Sequence, residues 1–350
     1  MGVQRRSGSR TTTAPARCAW ARRGDESLLN LRLCDLGLRI EGSVLERRIA
    51  RLHEEMDARG LRFRPHCWLS TEWFSPVGVP GIAIPFYLAH PRLVRLEETM
   101  MLEAEGGSAQ ECMKILRHEA GHAMDHAYRL SRRPRWRRMF GSPARAYPDS
   151  YRPRPYSRRF VLHLDNWYAQ SHPTEDFAET FAVWLTPGSA WRRRYAGWPA
   201  LEKLEYVDEL MAEIGQQAAP VQTRRQVDNA RRLEVTLREL YEDRQARYGA
   251  EDVSLYDRDL RRMFSGDVKG YEAASVYLRR ARPRLRLVVS RWTGAYQYTV
   301  DGVIEEMISR SRALKLRRHR SREETFSDAV VMLTVQTMNQ MSGGRPRYLL

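Results

Sequence analysis

The stretch that decides the fold is Ile115-Leu116-Arg117-His118-Glu119-Ala120-Gly121-His122-Ala123-Met124-Asp125-His126-Ala127-Tyr128. It carries the pattern H-E-x-x-H on a run with helical spacing of apolar residues. Residues four apart share one face of an α-helix, so His118 and His122 can offer two imidazole nitrogens to one metal ion. Glu119 lies beside the pair and can reach a water molecule near that ion. The stretch predicts a helix with a hydrolytic zinc site, although so short a pattern also recurs by chance.

A second stretch, residues 168–185, reads YAQSHPTEDFAETFAVWL. Ser171 or Thr174 can cap a helix here, Pro173 suits its first turn, and acidic residues favour its N-terminus. Glu175 and Glu179 are four apart and share a face. One carboxylate can bind the metal while the other holds a ligand imidazole through its remaining N–H group. We assign Glu175 to the metal and Glu179 to that supporting hydrogen bond.

The two motifs together resemble the gluzincin metallopeptidases. H-E-A-G-H is similar to the thermolysin-like form, and E-D-F-A-E is similar to the second motif of the lethal-factor-like proteins. The motif H-P-T-E-D-F-A-E-T-F-A also resembles the sequences of a bacterial family named putative zinc-binding metallopeptidases. The resemblance to that family extends over much of residues 28–215. The resemblance implies that Glu175 is the third zinc ligand. It also implies that Tyr168, seven residues earlier, assists the oxyanion.

The metzincin class is excluded, because Asp125 stands where its Gly is required and Tyr128 where its third His is required. The third ligand therefore comes from outside the first motif. His126 is the nearest rival, but it lies a further turn along the helix, about 6 Å along the axis, and we interpret it as a supporting or core histidine. His172 is a weaker rival beside Pro173.

Composition sets the limits for the whole chain. Its 350 residues are 42% hydrophobic, which is typical of a folded soluble protein with about two subdomains. The net charge is +16, and 55 of the 59 basic residues are Arg. Because Arg is spread over the whole sequence, a coding bias explains this charge as well as an anionic partner does. Nucleic acid is therefore a less favoured partner than a peptide or protein substrate.

Composition also predicts where the protein is located. No run approaches 18 apolar residues, so we expect no membrane span. The four cysteines are widely spaced and lack a C-x-x-C pair, which favours a reduced, cytoplasmic protein. The first 24 residues contain six Arg and no acid, and we predict a disordered basic tail without a secretory signal. The oligomeric state is not indicated.

Two segments between residues 62 and 90 predict strands. Residues 66–74 and 82–88 have strand composition and are separated by a turn rich in Pro and Gly. Pro85 cannot donate to a ladder, so it indicates an edge strand or an irregular strand end. Since zincins bind extended substrate at a strand edge, the resemblance makes residues 82–88 a candidate for substrate pairing. The alternative is that these residues only bury the apolar face of the sheet.

The remaining segments are assigned from local pattern. Ser43 and Glu46 form a capping box before a helix that stops at Gly60. Residues 28–40 predict a strand or lead-in, 91–110 a partly helical or looped connection, and 132–159 an irregular arm that either lines the cleft or is a solvated connector. Strands are predicted at 285–292 and 296–300. Helices are predicted at 109–130, 201–214, 224–248, 255–264, 271–281, 303–316 and 323–338.

The fold class predicted is α+β. We expect a basic tail over residues 1–24, a zincin-like catalytic domain with a small mixed sheet over 25–215, and a mainly helical region over 216–350. The function predicted is a zinc metallopeptidase with one Zn²⁺ per chain, in which Glu119 is the general base and Tyr168 stabilises the oxyanion. The alternative is a non-catalytic basic protein with structural zinc that binds nucleic acid or another anionic partner.

Overall fold

The computed structural model describes residues 18–148, 151, 154, 157–248, 256–266 and 271–342. Two strands and a set of helices follow one another along these residues. The strands are β1 His66–Ser70 and β2 Gly81–Pro85. The helices are α1 Asp25–Leu29, α2 Val44–Ala58, α3 Pro91–Met101, α4 Ala109–Tyr128, α5 Pro134–Phe140, α6 Pro173–Leu185, α7 Trp191–Arg194, α8 Ala200–Ile214, α9 Leu237–Tyr248, α10 Asp257–Met263, α11 Ala274–Thr293, α12 Gln297–Ala313 and α13 Arg322–Ser342.

Helix α2 begins and ends where its sequence predicts. The Ser43 side chain accepts a hydrogen bond from the Leu45 N–H group at 3.1 Å, and the Glu46 carboxylate accepts one from Gly42 at 2.8 Å. The first bond satisfies an N–H group that the first helical turn leaves without a partner. Glu46 takes the N–H group of Gly42 and not that of Ser43, whose N–H donates to the Ile40 carbonyl, so the predicted capping box forms only in part. The helix ends before Gly60, whose φ of 75° suits a residue without a side chain.

The sheet consists of β1 and β2, which pair in parallel with His66 opposite Gly81 and Ser70 opposite Pro85. Pro85 ends its strand, in agreement with its inability to donate to the ladder. The outer edge of β2 is partly occupied, because Phe74 pairs with Ala83 in an antiparallel bridge. Every residue from Gly81 to Leu88 is buried. The structure therefore favours the packing alternative over substrate pairing along residues 82–88.

Two strand predictions in the C-terminal region are wrong. Residues 285–292 lie inside α11, and most of 296–300 lies inside α12. Helix α11 continues through Pro283, which is exposed, while Leu278, Leu285 and Val289 are buried on one side. Burial of that stripe outweighs the local preference of β-branched residues for strands. Residues 28–40 form α1 and a 3-10 turn instead of a strand.

Other element boundaries differ more modestly from the sequence prediction. Residues 91–101 are helical, and the arm over 132–159 contains α5. The predicted helix at 224–248 begins only at Leu237. Most of the predicted basic tail lies outside the described residues, but Trp20 is buried and its indole N–H donates to the Leu36 carbonyl at 2.9 Å. Ordered structure thus begins before residue 25.

Hydrophobic contacts form two large clusters. The first runs from Trp20 to Tyr241 and therefore continues past the predicted boundary at residue 215, while the second runs from Tyr256 to Leu333. A buried ion pair between Glu97 and Arg244, at 2.7 Å, ties α9 to α3 within the first cluster. The second cluster belongs to the last four helices.

The two clusters meet through the start of α12. Tyr296 and Tyr298 pack against the first cluster, and the Gln297 N–H group donates to the Glu103 carboxylate at 3.3 Å. The architecture is a mainly helical α+β fold with a small sheet, followed by a helical region. All four cysteines are free, and no helix among the described residues is long and apolar enough to cross a membrane.

Candidate metal centre

Helix α4 carries the first motif along its cleft-facing side. Ser108 caps it by accepting a hydrogen bond from Glu111 N–H at 3.1 Å, and Arg129 ends it with a left-handed φ of 53°. Immediately before His118, the buried Arg117 guanidinium forms two hydrogen bonds with Glu55 of α2, each 2.7 Å. The helix that carries the imidazoles is therefore held in place by an ion pair with α2.

Helix α6 carries the second motif. His172 is its N-cap and accepts a hydrogen bond from Thr174 N–H at 3.2 Å, while Pro173 takes the first helical position. Glu175 and Glu179 follow one turn apart on the face toward α4, and both are buried. The cap differs from the predicted Ser171 or Thr174, because a histidine ring nitrogen takes the place of a hydroxyl oxygen.

Gly121 explains how the two helices come so close. A Cβ atom added at this position would lie 2.8 Å from Cα of Ala178 and 3.2 Å from its carbonyl oxygen. Carbon atoms in contact prefer separations of about 3.5–4.0 Å. Gly121 lies between His118 and His122 along the chain, and Ala178 lies between Glu175 and Glu179. The glycine therefore permits the approach that brings the two imidazoles to the two carboxylates.

The donor atoms of His118, His122 and Glu175 form a nearly equilateral triangle. Nε2 of His118 lies 3.0 Å from Oε2 of Glu175 and 3.1 Å from Nε2 of His122, and the third side measures 3.1 Å. Two ligands bound to one zinc ion at about 2.1 Å in tetrahedral geometry lie roughly 3.4 Å apart. The triangle thus has the size and the nitrogen and oxygen composition of a zinc ligand set.

Glu179 sets the chemical form of the first imidazole. Its Oε1 atom lies 2.8 Å from Nδ1 of His118, and its Oε2 atom accepts a hydrogen bond from Leu164 N–H at 2.9 Å. With Nδ1–H donating to Glu179, the neutral ring directs the lone pair of Nε2 at the other two donor atoms. Three electron-rich atoms at this distance repel one another unless a cation or a proton lies among them.

The pKa values of the histidines reflect the same arrangement. Burial alone would lower the pKa of His118, but hydrogen bonds and charge from Glu175 and Glu179 outweigh it and raise that pKa well above its usual value. Burial also acts to lower the pKa of His122, but the charge and the hydrogen bond of Glu175, with the charge of Glu119, together outweigh it and raise that pKa. The cluster attracts positive charge, as either protons or a metal ion.

Glu119 contributes a buried carboxylate to the same cleft. Its side chain is buried and lines the same cleft as the three donor residues, and its Oε2 atom has no hydrogen-bond partner among the described residues. Its backbone carbonyl accepts a hydrogen bond from the Ser75 hydroxyl at 3.2 Å, which anchors this turn of α4. A buried carboxylate oxygen without a partner is costly, so it is available to a water molecule or a substrate.

Tyr168 and Tyr147 also line the cleft, each next to one of the donor residues. The ring of Tyr168 packs 5.5 Å from that of His118, and burial with the charges of Glu175 and Glu119 raises its pKa well above normal. Tyr147 was missed by the sequence analysis. Its hydroxyl donates to Oε1 of Glu175 at 2.9 Å, opposite the oxygen that faces the histidines. Nothing in the sequence distinguishes this tyrosine from others in the arm.

The two rival histidines have other contacts. His172 uses both ring nitrogens, one as the helix cap and the other as a donor to the Arg145 carbonyl at 2.8 Å, and its ring stacks on Tyr147 at 3.8 Å. His126 lines the cleft, and burial together with the nearby His122 lowers its pKa. Among the described residues, neither joins the group of His118, His122 and Glu175 that could hold a metal.

The cleft around this centre has a volume of about 2140 Å³. One face of α4 forms its floor from Glu111 to Arg129, a distance of about 27 Å at 1.5 Å per residue. The connection between β1 and β2 lies along one side, and the arm with Tyr147 lies along another. An extended chain rises about 3.3 Å per residue, so the floor has room for about eight residues of peptide.

Residues 111–193 match the model of a family described as "Putative zinc-binding metallo-peptidase". The match includes both motifs, and so all the donor residues of the triangle. It supports a zinc site and a peptidase relationship for this part of the chain. No curated protein and no solved structure matches the chain.

Proposed function

We propose that the protein is a zinc-dependent metallopeptidase with one Zn²⁺ per chain, held by His118, His122 and Glu175. One observation carries the proposal: three donor atoms within 3.1 Å of one another lie in an open cleft that Glu119 also lines, and Oε2 of Glu119 has no hydrogen-bond partner among the described residues. Catalytic zinc sites use three protein ligands and leave one position open. A zinc ion here would supply Lewis acidity to a water molecule and to the substrate carbonyl.

The chain's own residues account for the proton transfers. Glu119 accepts a proton from the water molecule as the water oxygen attacks the carbonyl carbon. The same carboxyl then delivers that proton to the amide nitrogen, the C–N bond breaks, and an acid and an amine leave. Tyr168, which its raised pKa keeps protonated, donates a hydrogen bond to the oxyanion. Glu179 keeps His118 in the tautomer that the site needs.

The alternative of structural zinc in a basic binding protein fits the geometry less well. A structural site is normally closed by four protein ligands. Among the described residues, His118, His122 and Glu175 are the only group of His, Cys, Asp or Glu in reach of one ion. A cytoplasmic location and a peptide or protein substrate are further parts of the proposal, and the free cysteines agree with the location.

The decisive experiment combines metal analysis with digestion of an unbiased peptide library, read by mass spectrometry. Glu119→Gln should keep one zinc per chain and lose cleavage by at least about 100-fold, the usual contribution of a general base. Glu175→Ala should lose the metal. Glu54→Gln, an identical change at an exposed site on α2, should match the parent. Cleavage by Glu119→Gln at the parental rate would overturn the mechanism.

A further inference from the structure

The C-terminal region forms one wall of the metal cleft. The last two turns of α11 and the connection to α12 line this cleft together with α4 and the β1–β2 connection. Leu287, Ser290, Arg291 and Gly294 follow one another at i, i+3, i+4 and i+7, so they form one stripe of the helix. This stripe faces the cleft, whereas Leu278, Leu285 and Val289 are buried in the C-terminal cluster. Trp292 lies about 140° from Leu287 around the helix axis and lines the cleft from the last turn of α11.

This wall is held against the catalytic part by specific contacts. Gly294 ends α11 in the left-handed region with a φ of 72°, which turns the chain sharply toward α12. Gln297 then donates its backbone N–H to Glu103, in the loop before α4, at 3.3 Å. Tyr296 packs against the first hydrophobic cluster. The position of the wall is thus set by the same loop that leads into the metal-binding helix.

Exposed apolar side chains are concentrated in this cleft. Nine large apolar side chains are exposed in the described part of the chain, and four of them line the cleft: Val77, Tyr147, Leu287 and Trp292. Trp292 is 76% exposed and Leu287 is 55% exposed. Large apolar groups left in water at a concave site favour the binding of an apolar partner.

We propose that Leu287 and Trp292, at two positions along this wall, bind large apolar side chains of an extended peptide substrate. This inference rests on the proposed function, and it gives the C-terminal region a role in choosing the substrate. The occupant is argued from the cleft itself, since the wall residues line the same cleft as His118, Glu119 and His122. The length of the floor, about eight extended residues, fits a segment inside a longer chain.

The test measures peptide binding in the zinc-loaded Glu119→Gln protein, so that turnover does not interfere. Three fluorescent libraries of peptides about ten residues long share random flanks and carry Phe, Leu or Ala at one central position. Fluorescence anisotropy should show tighter binding of the Phe and Leu libraries than of the Ala library. Trp292→Ala and Leu287→Ala should each reduce that preference about tenfold, the effect of partly losing one apolar contact.

Two control variants are matched to these changes. Val276→Ala removes an exposed aliphatic side chain from the same helix outside the cleft, and Tyr271→Ala removes an exposed aromatic ring. Both should keep the parental preference. A preference that survives both Trp292→Ala and Leu287→Ala, or a parent that binds the three libraries equally or not at all, overturns the inference.

The outcomes also separate this inference from the proposed function. If the apolar preference depends on Trp292 but the parent cleaves no peptide, the binding wall stands and the peptidase proposal falls. Suppose that the parent cleaves peptides and that the Trp292→Ala and Leu287→Ala variants keep its sequence preference. The proposed peptidase function is then supported, and the role of the wall in substrate binding is refuted.

Discussion

Replacing Gly121 by Ala should weaken zinc binding while leaving the protein folded. The new Cβ atom would lie 2.8 Å from Cα of Ala178, so α4 and α6 must separate by about 0.7 Å to reach ordinary contact. Metal ligands tolerate distance errors of only about 0.2 Å. Because Glu175 lies on α6 and the two histidines lie on α4, the separation acts directly on the triangle.

The two effects on stability oppose each other. Overpacking in a tight interface costs about 1–3 kcal/mol, whereas Ala in place of Gly in a helix stabilises by about 1 kcal/mol. We therefore expect the metal-free variant to lose at most about 2 kcal/mol of unfolding free energy. Zinc affinity should fall at least about tenfold, which corresponds to about 1.4 kcal/mol.

Zinc affinity is measured by competition with a chromophoric chelator, and unfolding free energy by denaturant titration of the metal-free protein. The matched control is Ala123→Gly, which lowers helix propensity on the same helix at a buried site without adding an atom to the interface. It should destabilise the fold while keeping zinc affinity near that of the parent. Parental zinc affinity in Gly121→Ala, together with higher stability, would refute the close-approach argument.

Two further predictions concern the metal ligands. Tyr147→Phe should lower zinc affinity about tenfold, since Glu175 loses the hydroxyl that orients its second oxygen. The control in the same chelator competition is Tyr271→Phe, at a tyrosine that is equally exposed at 48%, and equal zinc affinities of the two variants would contradict the role of Tyr147. Removing zinc should lower the melting temperature, and by more at about pH 8 than at about pH 6.

The sign of that pH effect follows from the histidines. In the metal-free protein the pKa of His118 is raised, so the proton it holds stabilises the fold below the unfolded pKa, and this stability is lost as the pH rises through the folded pKa. Zinc binding must also displace the proton, and it does so more easily at higher pH. A zinc-induced rise in melting temperature that is larger at the lower pH would contradict this account.

The centre could be predicted from sequence because its residues sit at helical spacings. His118 with His122, and Glu175 with Glu179, are each four apart, so each pair shares a helix face whatever the rest of the chain does. The contact between the two pairs depends on tertiary structure, that is, on how α4 packs against α6. It depends on Gly121, which the motif contains but whose role becomes visible only when Ala178 is placed against it.

The rest was hidden for identifiable reasons. Tyr147 reaches Glu175 from an arm without periodicity, so no local pattern marks it. The sequence around Leu285 resembles a strand because it is rich in apolar and β-branched residues and follows Pro283. A helix forms there because Leu285 and Val289 are buried four residues apart. That misreading also concealed the cleft wall, since Leu287 and Arg291 share a face only when the segment is helical.

Buried charge pairs fix the rotational orientation of α4 and α6, the two helices that carry the metal ligands. Arg117 precedes His118 and pairs with Glu55 at 2.7 Å, and Asp176 follows Glu175 and pairs with Lys203 at 2.5 Å. Such pairs contribute little net stability, because removing charges from water costs about as much as their attraction returns. Here these pairs fix the directions in which side chains leave the two helices. Neighbouring residues on a helix point about 100° apart, so fixing Arg117 and Asp176 also fixes the directions in which the adjacent ligands face the cleft.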